Sequence, residues 1–269
     1  MTAVKDPEVK LLIVLVLLAG IVAALWFYRD LLPGDEPAST QAEPADAGEP
    51  ERRGPIHPLA PIDPVDPLDG KLVPLPALDD SDSYFLLALV DTFGADLRPV
   101  LVNDALIDKF VATVDNLPRK HVPEKIRPVN KLPGAFTTGA TEDKEQFLVS
   151  TSNYSRYDLL VGLISNADPA AIVASYRRFY PLMQESYERL GYPDAYFNDR
   201  VVEVIDHLLL TPAPAEPILL VQPHVLYEFA DPELEALSAG QKLLLRMGSE
   251  HAAKIKSVLR NLRPLIAQP

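Results

Sequence analysis

The chain has 269 residues, a formal net charge of −13 at pH 7 and no cysteine. Because nucleic acids are polyanions, this excess of acidic residues argues against a nucleic-acid-binding protein. It also disfavours adhesion to an anionic membrane surface. The absence of cysteine excludes disulfide bonds, thiol catalysis and cysteine-ligated metal sites.

The first predicted element is a transmembrane helix over residues 11–28, where the sequence LLIVLVLLAGIVAALWFY contains no charged side chain. At about 1.5 Å per residue it would extend about 27 Å, close to the roughly 30 Å hydrocarbon core of a bilayer. Lys5 and Lys10 precede it, and Arg29 is the nearest base after it. Since positive charge favours the cytoplasmic side, residues 1–10 are predicted to be cytoplasmic and the C-terminal region to be exported.

A cleaved signal peptide is the alternative, because Val22-Ala23-Ala24 loosely fits a small-residue cleavage site. The apolar run is longer than the core of a signal peptide and continues past that point, which favours an uncleaved, single-pass anchor. Small residues at 19, 20, 23 and 24 have the spacing with which two transmembrane helices pair. The predicted partners therefore include a weak homodimer through the span.

Residues 29–77 are predicted to form a disordered linker. From Pro33 to about Pro76, proline recurs every few residues among acidic side chains, and few apolar side chains are present to bury. At about 3.1 Å per residue, such a chain would reach at most about 140 Å. The alternative is that its ProxxPro spacings bind a proline-recognising partner domain.

Residues 78–269 are predicted to form one mostly helical domain with minor β-hairpins. Apolar residues at helical spacing predict helices over residues 80–93, 104–116, 152–166, 168–191 and 198–210, and a further helical region after Ser238. Apolar runs separated by turn residues predict two hairpins, one pairing residues 218–222 with 225–229 and one pairing 136–138 with 147–151.

Local signals mark several helix ends. Asp168-Pro169 is an N-cap followed by proline at the first helical position, and Ser238 with Gln241 has the spacing of a capping box. Gly94 ends the first helix, and Gly248 interrupts the last helical region. Pro181 predicts either a kink in the 168–191 helix or two helices stacked in register.

One face of the 198–210 helix carries acidic and basic side chains together. Helical spacing groups them, and paired carboxylates with a histidine are suited to acid–base chemistry or metal binding. The alternative is a solvated helix face with ion pairs, and the sequence has no His-Glu-x-x-His motif. No catalytic residue, metal site or cofactor is therefore assigned, and this face comprises Asp199, Arg200, Glu203, Asp206 and His207.

A second candidate is an aromatic platform between residues 191 and 198. Most tyrosines of the chain fall on or beside an apolar stripe, so they are predicted to be core residues. Tyr192, Tyr196 and Phe197 remain as candidate exposed binding residues, with Arg200 beside them.

The third candidate is an extended basic loop over residues 119–131, in which Glu124 is the only acidic residue. A basic loop in an acidic protein can bind an anionic partner such as a phosphate or an acidic glycan. Equally, it can lie across the acidic surface of its own domain. Its cationic residues are Arg119, Lys120, Lys125, Arg127 and Lys131.

Several strings of the folded domain resemble a known family when they are taken together and in order. They are VDNLP at 114–118, GYPDAYFNDR at 191–200, VEVIDHLL at 202–209, LYEFADPEL at 226–234 and SAGQKLLLRMG at 238–248. The chain resembles the bacterial domain of unknown function DUF3014. The resemblance implies one N-terminal span and a bacterial inner-membrane setting. With the orientation that the charges around the span favour, the C-terminal domain is then predicted to be periplasmic. It implies no activity and no catalytic residues.

Three hypotheses for the function follow. The first is an interaction module, anchored in the inner membrane, whose periplasmic helical domain binds an envelope protein or a cell-wall component. The second is a membrane-tethered hydrolase of cell-wall glycan or peptide that uses the face from Asp199 to His207. The third is a structural subunit of a membrane complex.

Overall fold

The computed structural model of this chain describes residues 54–59, 74–132 and 134–267. The predicted cytoplasmic segment and the predicted span over 11–28 lie outside these residues, and so does most of the predicted linker. Among the described residues, no single helix has the length and apolarity of a membrane span. The helical stretches Thr151–Ser165 and Pro169–Arg189 meet that test only as a pair bent by 86°, and the second of them contributes buried residues to the core.

Helices form most of the described part, as the sequence predicts. A short 3-10 helix at Leu78–Asp80 precedes the first described α-helix, and others at Ala95–Val100, Glu124–Ile126 and Thr151–Tyr157 lie between the α-helices. The α-helices are α1 (Asp82–Phe93), α2 (Leu106–Asn116), α3 (Asp158–Ser165), α4 (Pro169–Arg189), α5 (Phe197–Leu209), α6 (Pro232–Glu235), α7 (Ala239–Arg246) and α8 (Ser249–Ile266).

The helix ends follow the local signals closely. The Asp168 side chain accepts a hydrogen bond from the Ala170 amide at the start of α4, and Ser238 and Gln241 form both bonds of a capping box on α7. Helix α4 continues through Pro181 as one helix. Gly248 has a φ of 86°, a conformation that favours glycine, and it separates α7 from α8.

The segment before α3 differs from the prediction of an α-helix that begins at residue 152 or 153. Residues Thr151–Tyr157 form a 3-10 helix, and α3 begins at Asp158. The cause is a pair of hydrogen bonds between the buried Asn153 side chain and the backbone of Thr137, at 2.9 Å from its N–H and 2.7 Å to its carbonyl. These bonds tie the segment to the strand region instead of to a continuous helix.

The two predicted hairpins form one antiparallel sheet. Its strands are β1 (Thr138–Ala140), β2 (Gln146–Val149), β3 (Leu219–Val221) and β4 (Glu228–Phe229), in the order β1-β2-β3-β4. The hairpins join because β2 pairs with β3, with Phe147 opposite Leu220. One face of this sheet covers a small apolar cluster that includes Val149, Ile218 and Leu245.

The main core lies between helices α1, α2, α4, α5 and α8. Its largest fully buried side chains include Phe85, Phe110, Tyr176, Phe179 and Phe197. Phe85 meets Phe179 edge to face at 5.1 Å, and Phe110 meets Phe197 in the same way at 5.9 Å. Such aromatic pairs contribute about 0.5–1.5 kcal/mol each beyond the burial of their area. This packing fixes α5, which carries the candidate site, against the centre of the domain.

Residues 54–59, which we call the strap, lie against the first turn of α5. The backbone N–H groups of Ile56 and His57 donate to the two carboxylate oxygens of Asp199, at 2.9 and 2.7 Å. The Asn198 side chain donates to the His57 carbonyl at 2.8 Å, and Leu59 packs against the main core. The strap falls within the predicted linker range, and here the chain is held to the domain because its backbone groups and Leu59 find partners on it.

Candidate functional site

An open cleft of about 620 Å³ lies beside α5, and we call it the α5 cleft. One wall is the polar face of α5, another is the strap, and the connection between α4 and α5 closes one end. Its polar lining consists of four carboxylates, one guanidinium, one imidazole and two tyrosine hydroxyl groups. The lining residues are Gly54, Ile56, His57, Tyr187, Asp194, Ala195, Tyr196, Asp199, Arg200, Val202, Glu203 and Asp206.

The three carboxylates of α5 that line this cleft have different hydrogen-bond partners. Asp199 holds the strap, whereas Glu203 bonds Arg200 at 2.8 Å and keeps 65% of its side chain exposed. Asp206 forms a two-bond ion pair with Arg263, and the hydrogen bond from that guanidinium lowers the pKa of Asp206. The three acids lie one turn apart along one face of α5, so they make a continuous acidic wall.

His207 is placed differently from the other residues of the predicted acid–base face. It does not line the α5 cleft, and its Nε2 lies 2.8 Å from the Ser238 hydroxyl at the N-cap of α7. Burial lowers the pKa of His207, and the charge of Glu203 opposes this change. The structure therefore divides the predicted face into an acidic cleft wall and a histidine that joins α5 to α7.

A charged network lies beneath the cleft. Asp115 is 3% exposed at its side chain, and it accepts from Arg200 Nε at 3.0 Å and from Arg119 Nη2 at 2.7 Å. Arg200 also donates to the Asp115 carbonyl at 2.7 Å, and the Tyr192 hydroxyl donates to the Asp115 carboxylate at 3.2 Å. Because a buried carboxylate is stable only when it is paired and hydrogen-bonded, this network fixes the angle at which α5 meets α2.

The aromatic residues of the 191–198 connection separate into two groups. Tyr192 stacks on Tyr187 at 4.6 Å, and burial together with the Asp115 charge raises the pKa of Tyr187 to about 12. Tyr196 is half-buried and lines the cleft. Phe197 is fully buried as the first residue of α5, so the prediction that it forms part of an exposed platform was wrong.

At least three of the five cationic residues of the basic loop bond other groups of the same domain. Arg119 pairs with Asp115, the Lys120 ammonium donates to the Ala236 carbonyl, and the buried Arg127 donates to the Val122 carbonyl at 2.8 Å. Lys125 and Lys131 are exposed. Of the two interpretations that the sequence allowed, these contacts favour a loop that lies across its own domain.

Sequence reasoning identified the α5 residues but missed the strap and Asp115. The prolines of the strap predicted disorder, and Asp115 follows the apolar face of α2 with no local partner in the sequence except Arg119. Among the described residues, no group of three or more histidine and acidic side chains is arranged to hold a metal ion.

The strings that carried the family resemblance meet at this site, since Asp115 of the first string contacts Tyr192 and Arg200 of the second. A family model described as Protein of unknown function (DUF3014) matches residues 106–263, more than half of the chain, which confirms the predicted family. No curated protein and no solved structure matches the chain.

Proposed function

Because this chain belongs to the DUF3014 family, whose description assigns no activity, we propose a function from the geometry of the α5 cleft. The domain is an interaction module that binds a cationic peptide segment of a protein partner in this cleft. The observation that carries the proposal is an acidic, solvent-open wall beside a segment of the chain whose backbone is already bound there.

The charge of the cleft supports a cationic partner. Four carboxylates line it, from Asp194, Asp199, Glu203 and Asp206, and Arg200 is its one lining guanidinium; Asp206 is also paired with Arg263, which is outside the lining. That guanidinium already donates to the buried Asp115, so its charge is largely compensated from below. The Glu203 and Asp206 side chains are 65% and 45% exposed and keep acceptor positions that a lysine or arginine of a partner can use.

The strap supports a peptide segment as the partner. Asp199 and Asn198 together bind an N–H pair and a carbonyl of the strap backbone, which is recognition of main chain and not of side chains. The strap side chain of Ile56 is 73% exposed and leaves most of the cleft open. A second peptide segment would therefore lie along the acidic wall beyond the strap.

The cellular setting is part of this proposal. The apolar run at 11–28 anchors the chain in the bacterial inner membrane as a single span, and the helical domain lies in the periplasm. The charge bias around the span supports this orientation. A reporter enzyme that is active only outside the cytoplasm, fused after residue 269, should be active. If this fusion is inactive and a reporter that works only in the cytoplasm is active at the same position, the C-terminal domain is cytoplasmic and the proposed orientation is wrong.

Site-specific crosslinking tests the binding site. A photoreactive amino acid in place of Tyr196, which lines the cleft, should give one defined protein adduct in the native envelope. The same amino acid in place of Leu87, which is 67% exposed on α1 and outside the cleft, should not give that adduct. Equal adducts from both positions would contradict the proposal.

A matched pair of charge reversals tests the cation preference. Glu203→Lys should reduce the adduct from Tyr196 at least tenfold, because it places a positive charge in the binding wall. Glu250→Lys makes the same change in net charge at the exposed start of α8, outside the cleft, and should leave the adduct unchanged. An adduct that survives Glu203→Lys at full yield would exclude the acidic wall as the binding surface.

A further inference from the structure

A second cavity lies on another part of the domain, beside the first half of α8, and we call it the α8 pocket. Its volume is about 240 Å³. It is enclosed by α7, α8 and the loop over residues 212–218 that leads from α5 into β3. None of its lining residues lines the α5 cleft, so it is a separate site.

The loop over this pocket is fixed to α8 at two points. The Lys256 ammonium donates to the Thr211 carbonyl at one end of the loop, and the Ser249 N–H donates to the Glu216 carboxylate at 2.7 Å near the other. The corner between α7 and α8 is equally constrained, because a Cβ on Gly248 would lie 2.7 Å from the Tyr154 ring. The cavity is therefore a formed feature of the fold and does not depend on a loose loop.

The inner wall of the α8 pocket is apolar. Ile218, Leu244 and Leu245 form it, and each is 5% exposed or less. The α8 wall carries the small residues Ala252 and Ala253, which leave room for a ligand. The volume exceeds the roughly 150 Å³ of a cavity that admits benzene, and it falls below the roughly 300 Å³ at which drug-sized pockets begin. It therefore fits one short apolar chain.

The mouth of the pocket is cationic, although the chain as a whole is acidic. Lys256 and Arg260 stand one turn apart on α8 and both line the pocket. The Lys256 ammonium uses one of its three N–H groups to bond the Thr211 carbonyl. Arg260 has no hydrogen bond or ion pair in the described part of the chain. Burial, with a smaller contribution from the neighbouring Arg260 charge, lowers the pKa of Lys256. Glu216, the carboxylate in the lining, is engaged with the Ser249 amide.

We propose that the α8 pocket binds a medium-chain fatty acid, with its chain against Ile218 and Leu244 and its carboxylate between Lys256 and Arg260. An apolar interior with a paired cationic mouth matches a molecule that carries one apolar chain and one anionic head. Burial of the methylene groups of the chain would favour binding, and the two cations would orient the head toward solvent.

Photolabelling of the full-length chain tests this site. A ten-carbon carboxylate with a diazirine near its chain end should label residues of the inner wall, as located by peptide mass spectrometry. Unlabelled decanoate should compete with this labelling, whereas decanol, which has the same chain without the charge, should compete at least tenfold more weakly. Equal competition by decanol, or labelling that is confined to other parts of the chain, would overturn the proposal.

Two variants on the same helix provide the control for charge. Arg260→Gln changes an exposed side chain and should weaken labelling about tenfold at a limiting probe concentration, the effect of losing one charge-assisted contact. Lys254→Gln removes the same charge from a residue that pairs with Glu250 and lies outside the pocket, and it should leave labelling unchanged. Undiminished labelling in Arg260→Gln would exclude this residue from the site and contradict the proposal.

Discussion

Arg200 binds Asp115 twice, with its Nε 3.0 Å from the carboxylate and its Nη2 2.7 Å from the main-chain carbonyl of the same residue. One guanidinium thus donates hydrogen bonds both to a buried carboxylate and to a backbone carbonyl near the C-terminal end of α2. The two residues are far apart in sequence, and their contact joins the helix that carries the cleft to the helix beneath it. The stability of the site therefore depends on this pair more than on the exposed ion pairs around it.

We expect Arg200→Met to lower the free energy of unfolding by about 3 kcal/mol, because it leaves the Asp115 carboxylate buried with only part of its partners. Urea denaturation of the variant and the parent, followed by circular dichroism, measures the difference. Arg189→Ala is the control, since Arg189 pairs with Asp79 and Glu185 at the surface, where water screens the charges. Equal effects of the two substitutions would contradict a special role for the buried pair.

The corner between α7 and α8 requires glycine at position 248. Gly248→Ala places a Cβ into the Tyr154 ring at a positive φ, so we expect it to destabilise the domain by about 2 kcal/mol or more. Gly162→Ala is the matched substitution, because Gly162 lies inside α3 with no atom within 4 Å of the added carbon. We expect it to stabilise the domain by about 0.5–1 kcal/mol, and thermal unfolding should separate the two variants in opposite directions.

The strap should be released when Asp199 loses its charge. In Asp199→Asn one of two carboxylate acceptors becomes an NH₂ group, so we expect hydrogen exchange at the Ile56 and His57 amides to accelerate at least tenfold. Glu203→Gln makes the same charge change one turn further along α5, without a contact to the strap. Exchange rates at the two amides that match between these variants would show that Asp199 does not hold the strap.

The pKa of His207 predicts a specific pH dependence. Burial holds this pKa below its ordinary value of 6.5, so the unfolded chain takes up a proton at a higher pH than the folded chain does. The free energy of unfolding should therefore fall as the pH drops from about 6.5 toward the lowered pKa, and it should be independent of this group above that range. His207→Gln, which can keep the bond to Ser238, should lack this part of the curve. Parallel curves for the variant and the parent would exclude the effect.

The local parts of this fold were accessible from the sequence. Asp168 before Pro169 and Ser238 before Gln241 act through hydrogen bonds to the next few residues, so their spacing alone predicts the starts of α4 and α7. The two hairpins follow from the same kind of short-range pattern. Their union into one sheet does not, because Gln146 pairs with Val221 across a long stretch of intervening chain.

The site was predictable only in part, for the same reason. The acidic face of α5 follows from helical spacing, but its division depends on what each side chain meets: Arg263 for Asp206 and Ser238 for His207. Phe197 was misplaced because its neighbours in sequence resemble a loop, whereas its burial is decided by Phe110 on another helix. Contacts between distant segments are what a single sequence conveys least.

The attachment of the strap changes how far the domain can stand from the membrane. With the anchor that we propose, only residues 29–53 lie between the end of the span and the strap. At about 3.1 Å per residue they reach at most about 80 Å, roughly half of what the chain up to residue 77 would allow. Releasing the strap requires breaking the three hydrogen bonds of Asp199 and Asn198 and the packing of Leu59, and it would increase this maximum reach without cutting the chain or moving the span. The residues that hold the strap, Asn198 and Asp199, thus lie one turn from Glu203 of the proposed binding wall. Partner binding and the maximum distance of the domain from the membrane would therefore depend on neighbouring residues of α5.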